Sequence, residues 1–274
     1  MHLVVFDLDG TLLNAGSELS SYTRETLELM REAEVAYTIA TGRTRNDCHT
    51  ILSQSCFSLP QAYKNGVVIW NPTAADYSHS NFLTLAEIQH VVDAVMQQGL
   101  APFLFTIEPG QKHGAYHPPL NNTTEERLAA LFRSRPGLEV RPAAEMPASA
   151  DITNISALGD PAAVDAIAEL VAQEPGLVAY AGTALEGAEL KWIDIHHISA
   201  SKGNAVTLLK EQLGLERVLC FGDSDNDLSM FQIADEAYAP RNAKAPLKAA
   251  ATQVIGHHDE DGVARFLRER FDLR

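Results

Sequence analysis

The chain has 274 residues, 46% of them apolar, enough for a large buried core in one or two domains and unlike a disordered or fibrous protein. Its 36 acidic residues against 21 basic ones give a formal charge of -15, which disfavours attraction to nucleic acid or to an anionic membrane. Three cysteines, Cys48, Cys56 and Cys220, lack metal-ligand spacing and suit a reducing compartment; with no signal-like start and no bilayer-length apolar run, a soluble cytoplasmic protein is expected.

Residues 2–8, HLVVFDL, are apolar up to Asp7 and predict a strand covered on both faces, as in a parallel sheet. The segment 22–34 puts Leu27 and Met30 on one helical face and leads to a second apolar run, VAYTIAT, which completes a β-α-β unit. A helix carrying Cys48, Ile51 and Leu52 precedes a third expected strand, VVIW at 67–70. From about residue 82 the rhythm changes. Helices at about 84–98, 124–134 and 161–173 alternate with six strand-like stretches: APFLFTIE, GAYHP, LEVRPA, ITNISAL, LVAYAG and LKWIDIH. Leu190, Trp192 and Ile193 beside Lys191 and Asp194 suggest a sheet with one wet face. The α/β rhythm then resumes with a helix at 205–213, the strand VLCFGD at 218–223, the short helix DLSMFQIA and the expected edge strands EAYAP and TQVIG. A final helix at 262–271 carries Val263, Phe266 and Leu267 on one side. The expected fold class is α/β, a Rossmann-like doubly wound parallel sheet with an inserted α+β cap. The core would occupy 1–81 and 191–274, and the insertion 82–190.

Four polar clusters sit where strands end or helices begin. Asp7 and Asp9 close the first strand, and Gly10 permits the turn that crowds their carboxylates, although an Asx-type turn uses the same residues. The run Gly222-Asp223-Ser224-Asp225-Asn226-Asp227 offers hard oxygen ligands of the kind magnesium prefers, or a solvated acidic turn. It lacks the glycine and terminal glutamate of a calcium-binding EF-hand. Thr41-Gly42-Arg43 follows a strand at an expected helix start, and Ser201-Lys202-Gly203 precedes another helix; each alone fits ordinary capping as well as anion binding. In one α/β domain all four would converge on one crevice at the carboxyl ends of the strands. They would then supply a nucleophile, an acid/base, a metal site and phosphate-neutralising groups, the parts needed for phosphoryl transfer.

The stretches Asp7 to Leu13, Thr41 to Arg43, Ser201 to Gly203 and Gly222 to Met230 resemble the motifs of the haloacid dehalogenase-like superfamily. The inserted unit is similar to the class IIB cap, of C2 type, in the Cof-type hydrolases of that superfamily. The resemblance implies a magnesium-dependent phosphatase. It would make Asp7 the nucleophile that forms an aspartyl-phosphate and Asp9 the general acid and base. It would make Asp7, Asp223 and the main-chain carbonyl of Asp9 ligands of Mg2+. Thr41 and Lys202 would hold the phosphoryl oxygens, with Asn226 and Asp227 behind the metal ligands and Asp227 fixing Lys202. Gly42, Arg43, Asn65 and Asn226 would line the substrate side, although Asn65-Gly66 also reads as a tight turn. His258 stands where an asparagine is common in the family, and the roles of Arg241, His196 and His197 stay open.

The implied partner is a small phosphorylated metabolite, a sugar phosphate first, with pyridoxal phosphate and mannosyl-3-phosphoglycerate as alternatives, and neither nucleic acid nor membrane. The implied assembly is a monomer or weak homodimer. A phosphomutase of this superfamily would carry a helical cap soon after the first motif, where only Asn14 to Ser21 intervene here. A non-catalytic phosphate-binding regulator would be expected to lose at least one of Asp7, Asp9, Lys202 and Asp223, and all four are present.

Overall fold

The computed structural model describes residues 2–53, 55, 57–184 and 189–274; Cys56 lies outside the described residues. The chain divides into two compact units, residues 1–80 with 200–274 and residues 81–199. In chain order the first unit begins with β1 (His2–Phe6), α1 (Ser21–Glu32), β2 (Ala36–Ile39), α2 (Arg45–Leu52), β3 (Gln61–Tyr63), β4 (Val68–Asn71) and β5 (Asp76–Ser80). The second unit comprises α3 (Leu85–Gln97), β6 (Phe103–Glu108), β7 (Lys112–His117), α4 (Thr123–Arg133), β8 (Leu138–Pro142), β9 (Asp151–Gly159), α5 (Pro161–Val171), β10 (Leu177–Thr183) and β11 (Lys191–His197). The chain returns through α6 (Lys202–Leu213), β12 (Arg217–Phe221), α7 (Leu228–Ile233), β13 (Glu236–Pro240), α8 (Ala245–Ala250), β14 (Gln253–Ile255) and α9 (Gly262–Arg270).

The first unit is built on a parallel five-stranded sheet in the order β14-β13-β12-β1-β2. Alternate residues of β1 serve opposite faces, as a pleated strand requires. Leu3 and Val5 join Val218 and Cys220 of β12 in a core shared with Ala205, Val206 and Leu209 of α6. On the other face Phe6 lies against Phe221, and Phe221 and Tyr238 both meet Phe266 of α9. Both faces are therefore covered, and the apolar run of β1 follows from that. Cys48 and Cys220 are buried, and burial pushes the Cys48 thiol up to about 12, the behaviour of an inert core residue.

The strand at 68–71 departs from expectation. It pairs antiparallel with β3 and β5 in a separate three-stranded sheet, which the parallel bridge Ala40–Ala62 joins to the end of β2. β13 is interior, hydrogen-bonded to β12 and β14, so of the two expected edge strands β14 alone is an edge.

The second unit has a six-stranded sheet in the order β10-β11-β9-β6-β7-β8, antiparallel except for the β7–β8 pair. Helices α3 and α5 cover one face through Val91, Val95, Val164 and Ile167, while Phe132 of α4 packs on Phe103 and Phe105 on the other. The expected return to the first unit at residue 191 falls inside this sheet. β11 pairs with both β9 and β10, so the division lies between Ser199 and Ala200. Within β11, Ile193 and Ile195 point inward and Trp192 is 38% exposed, which reverses the side expected for the tryptophan. No helix among the described residues is long and apolar enough to cross a membrane.

Gly66 joins β3 and β4 to the start of α6. Its φ of +89 favours glycine, and an added Cβ would stand 2.6 Å from the Ser201 carbonyl oxygen, one residue before Lys202. Gly66→Ala is expected to destabilise the protein by about 1–3 kcal/mol, the usual range for one strained backbone position, read as a lower midpoint in urea unfolding. An unchanged midpoint would mean that the α6 start is not held by this contact.

Candidate functional site

β1 lies between β2 and β12, with later strands added on the β12 side, so the strand order reverses direction at β1. In such sheets the loops at this point diverge and leave a crevice. Register brings the polar clusters level with one another. Phe6 pairs with Phe221 and with Ile39, the Asp7 N–H donates to the Phe221 carbonyl at 2.9 Å, and the Ala40 N–H donates to the Phe6 carbonyl at 2.9 Å. Asp7, Thr41 and Asp223 thus leave adjacent strands within two residues of the sheet's end.

After Asp7 the chain turns at once. Asp9 is extended, Gly10 takes φ +70, and the Leu13 N–H closes the turn on the Leu8 carbonyl at 2.9 Å. A Cβ at Gly10 would stand 2.5 Å from the Asp223 carboxylate, so only glycine lets the two acidic loops approach this closely. Asn242 holds the turn from behind, an unexpected role: its Nδ2 donates to the Gly10 carbonyl at 2.7 Å and its Oδ1 accepts from the His258 N–H at 3.2 Å. The His258 Nδ1 lies 2.7 Å from the Leu13 carbonyl oxygen. No motif marks Asn242, and its only sequence signal is its place in the loop after β13.

Lys202 opens α6, where Ser201 Oγ caps the helix by accepting from the Asn204 N–H at 3.1 Å. Its fully buried Nζ donates to Asp7 Oδ1 and to Asp227 Oδ1, both at 2.6 Å. The other Asp227 oxygen accepts from the N–H groups of Asp223 and Ser224 at 2.9 and 3.0 Å, so Asp227 is consumed in holding Lys202 and the loop. Asp223 differs: its buried Oδ1 has no hydrogen-bond partner among the described residues.

Three carboxylates therefore face one ammonium. Burial raises Asp7 well above the usual carboxylate range against the pull of Lys202, with Asp227 and Asp223 adding to the rise. Burial also pushes Asp223 up to about 6, helped by Asp227. For Lys202, burial lowers its proton affinity, but Asp227 and Asp7 outweigh burial and keep it charged. Asp7, Asp223 and Asp227 each offer an oxygen within 4.8 Å of the others, a set that could hold a metal ion. The unpartnered Asp223 oxygen and the excess of negative charge are what a hard divalent cation fits.

The remaining expected residues fall into two groups. Thr41 is buried and its Oγ1 accepts from the Arg43 N–H at 3.1 Å, while Asn65, at φ +54, donates its N–H to the Thr41 carbonyl at 2.9 Å. Asn65 Oδ1 accepts from Asn226 Nδ2 at 2.9 Å, and Gly42 leaves space beside both: an added Cβ would be 3.3 Å from Asn65 Oδ1. Asn65 thus ties two loops together rather than only making a turn. Arg43, expected on the substrate side, closes its guanidinium on Asp9 instead, at 2.7 and 2.5 Å. Nor does Thr41-Gly42-Arg43 begin a helix. α2 starts at Arg45 behind a capping box made by Thr44 and Asp47, because Asp47 at the third helical position completes the box with Thr44. Arg241 is exposed and lies beside β14, where its N–H donates to the Gly256 carbonyl. His196 is buried in the second unit with its ring 5.8 Å from that of Tyr180, and His197 Nδ1 accepts from the Ser199 N–H at 3.1 Å.

Asp223 holds its proton more tightly folded than unfolded, so the ion-free protein gains stability from this group as pH falls from about 6 toward 4 and loses it above. Below about pH 6 a cation held by Asp223 would have to displace that proton. Adding Mg2+ is therefore expected to raise the thermal midpoint, with a larger rise at pH 7.5 than at pH 5, as followed by differential scanning fluorimetry. A rise that is equal at both values would disconnect the cation from Asp223.

The profile of the haloacid dehalogenase-like hydrolases matches residues 4–267. The chain is 27% identical to pyridoxal phosphate phosphatase YbhA of Escherichia coli (strain K12) over 97% of both chains. It is 26% identical to 5-amino-6-(5-phospho-D-ribitylamino)uracil phosphatase YwtE of Bacillus subtilis (strain 168), again over 97% of both. Among solved structures its fold is similar to that of BT4131, a sugar phosphatase of subclass IIB, with a TM-score of 0.77, 18% identity and full coverage of both chains. The chain belongs to the haloacid dehalogenase-like hydrolases and is a phosphatase of that family.

Proposed function

We propose that the protein hydrolyses the phosphate monoester of a small metabolite through a phosphorylated Asp7, with Asp9 as general acid and base and with Mg2+ as cofactor. The observation that carries this reading is the buried Lys202 ammonium, 2.6 Å from both Asp7 and Asp227 and beside an Asp223 oxygen with no hydrogen-bond partner among the described residues. That arrangement orients one carboxylate, neutralises part of its charge and leaves Asp7 Oδ2 and Asp223 Oδ1 for other partners.

In the first step an oxygen of Asp7 bonds to phosphorus, the bond from phosphorus to the ester oxygen breaks, and that oxygen takes the proton of Asp9 and leaves as an alcohol. Water then attacks the aspartyl-phosphate, Asp9 accepts a proton from it, and inorganic phosphate departs with Asp7 restored. Asp7, Asp223 and the main-chain carbonyl of Asp9 would hold the ion. When bound, Mg2+ supplies positive charge for the transferring phosphoryl oxygens. Lys202 and the Thr41 hydroxyl bind and orient those oxygens, and Gly42, Asn65 and Asn226 form the wall beside them.

Sugar phosphates are the first substrate class, supported by the family resemblance and by the fold shared with a subclass IIB sugar phosphatase. Pyridoxal phosphate is the second, supported by the relative that carries that name. Both would be small soluble substrates, in keeping with a net charge of -15 that repels polyanions.

A panel of phosphorylated metabolites is expected to show phosphate release that chelation abolishes and Mg2+ restores. Asp7→Asn should show no turnover. Asp223→Asn should need at least about tenfold more Mg2+ for half activity, a loss seen even when a group behind the ligands is changed. Undiminished release by Asp7→Asn would rule out the covalent route, and release that survives chelation would rule out the cofactor.

A further inference from the structure

Both oxygens of Asp9 are taken by one guanidinium. Arg43 Nε donates to Oδ2 at 2.7 Å and Nη2 to Oδ1 at 2.5 Å, and Arg43 is the only ion-pair partner of Asp9 among the described residues. The Asp9 side chain is 54% exposed, so without the fork it would sample many orientations. Arg43 is the better anchored partner. Its side chain is 23% exposed, its N–H donates to Thr41 Oγ1 at 3.1 Å, and its carbonyl accepts from the Lys64 N–H at 3.0 Å.

We propose that Arg43 is a positioning residue for Asp9, an exchangeable clamp that holds the carboxylate by both oxygens and passes to the phosphoryl group when a phosphate monoester binds. The inference rests on the reading of Asp9 as the general acid. An oxygen engaged in a forked acceptor pair does not present a proton to a leaving group, so the clamp must open for the first step. A phosphoryl group is the fitting trigger, because it offers a guanidinium the same two-oxygen geometry as a carboxylate with more negative charge. Once released, the Asp9 carboxylate takes up a proton from solvent, gives it to the ester oxygen as the bond to phosphorus breaks, and is left a carboxylate ready to accept a proton from water. Arg43 therefore does not only attract the substrate; it makes proton donation conditional on phosphate occupancy.

Charge and fork can be separated, since lysine keeps the charge and cannot hold two oxygens in a plane. The experiment compares Arg43→Lys, Arg43→Met and Asp9→Asn on glycerol phosphate, whose leaving group needs protonation, and on p-nitrophenyl phosphate, whose leaving group does not. Inhibition by inorganic phosphate is measured in parallel, and thermal midpoints confirm that each variant is folded. In a single turnover, Asp9→Asn is expected to slow release of the leaving group about 10²–10⁴-fold from glycerol phosphate and far less from the aryl ester, because only this first step distinguishes the two esters. Arg43→Lys should repeat that selectivity with a loss of about 10–100-fold, the effect of a misplaced group, while phosphate inhibition stays near wild type. Arg43→Met should add weaker phosphate inhibition to the same selectivity. Equal losses on both esters for Arg43→Lys, or a change in KM alone, while Asp9→Asn keeps its selectivity would overturn the clamp. Loss of selectivity in Asp9→Asn itself would instead overturn the reading of Asp9, and the clamp with it.

Discussion

The site of this phosphatase depends on one buried ammonium placed between two carboxylates. Lys202 has no exposed surface, and burying an unpaired lysine charge would be costly enough to discharge it. Asp7 and Asp227 prevent that, and in doing so they fix three segments that are far apart in the chain. The pairing leaves an imbalance. One ammonium stands against Asp7, Asp223 and Asp227, and the two excess negative charges match a divalent cation. Burial raises the proton affinities of Asp7 and Asp223, and the neighbouring carboxylates add to the rise.

The rest of the first unit serves to bring those segments together. Parallel register makes β1, β2 and β12 end level, and the reversal of strand order at β1 opens the loops beyond them. Glycines act where the backbone must nearly touch another group: Gly10 against the Asp223 carboxylate, and Gly66 against the Ser201 carbonyl. Asn242 and Asn65 then tie loop to loop with side-chain amides, which supply both donor and acceptor where no repeating ladder is available. Precision in the site thus comes from the sheet's end and a few amides.

Much of this was legible in the residues because the signals are local. The polar clusters stand directly after apolar runs, and the six strands and three helices of the second unit follow from short periodic stretches. What was not legible depends on partners distant in sequence. Val68 to Trp70 has strand character, but nothing in those residues says that its partners run antiparallel in another sheet. Trp192 and Ile193 are adjacent and both apolar, so which faces the core is settled by the pairing of β11 with β9 and β10, which also moves the unit's end to Ser199. The start of α2 could have been read from Thr44 and Asp47, the spacing of a capping box. The pairing of Asp9 with Arg43, 34 residues apart, and the role of Asn242 carry no local signal.

Asp7, oriented by Lys202, is the group expected to become phosphorylated during turnover. Rapid acid quench of the protein with a phosphorylated substrate, followed by peptide mass spectrometry, tests it most directly. One added phosphoryl group is expected on the peptide that contains Asp7, formed no more slowly than turnover and absent in Asp7→Asn. Turnover with no phosphorylated peptide when the chemical step is fast, or with the phosphoryl group on a different residue, would contradict it.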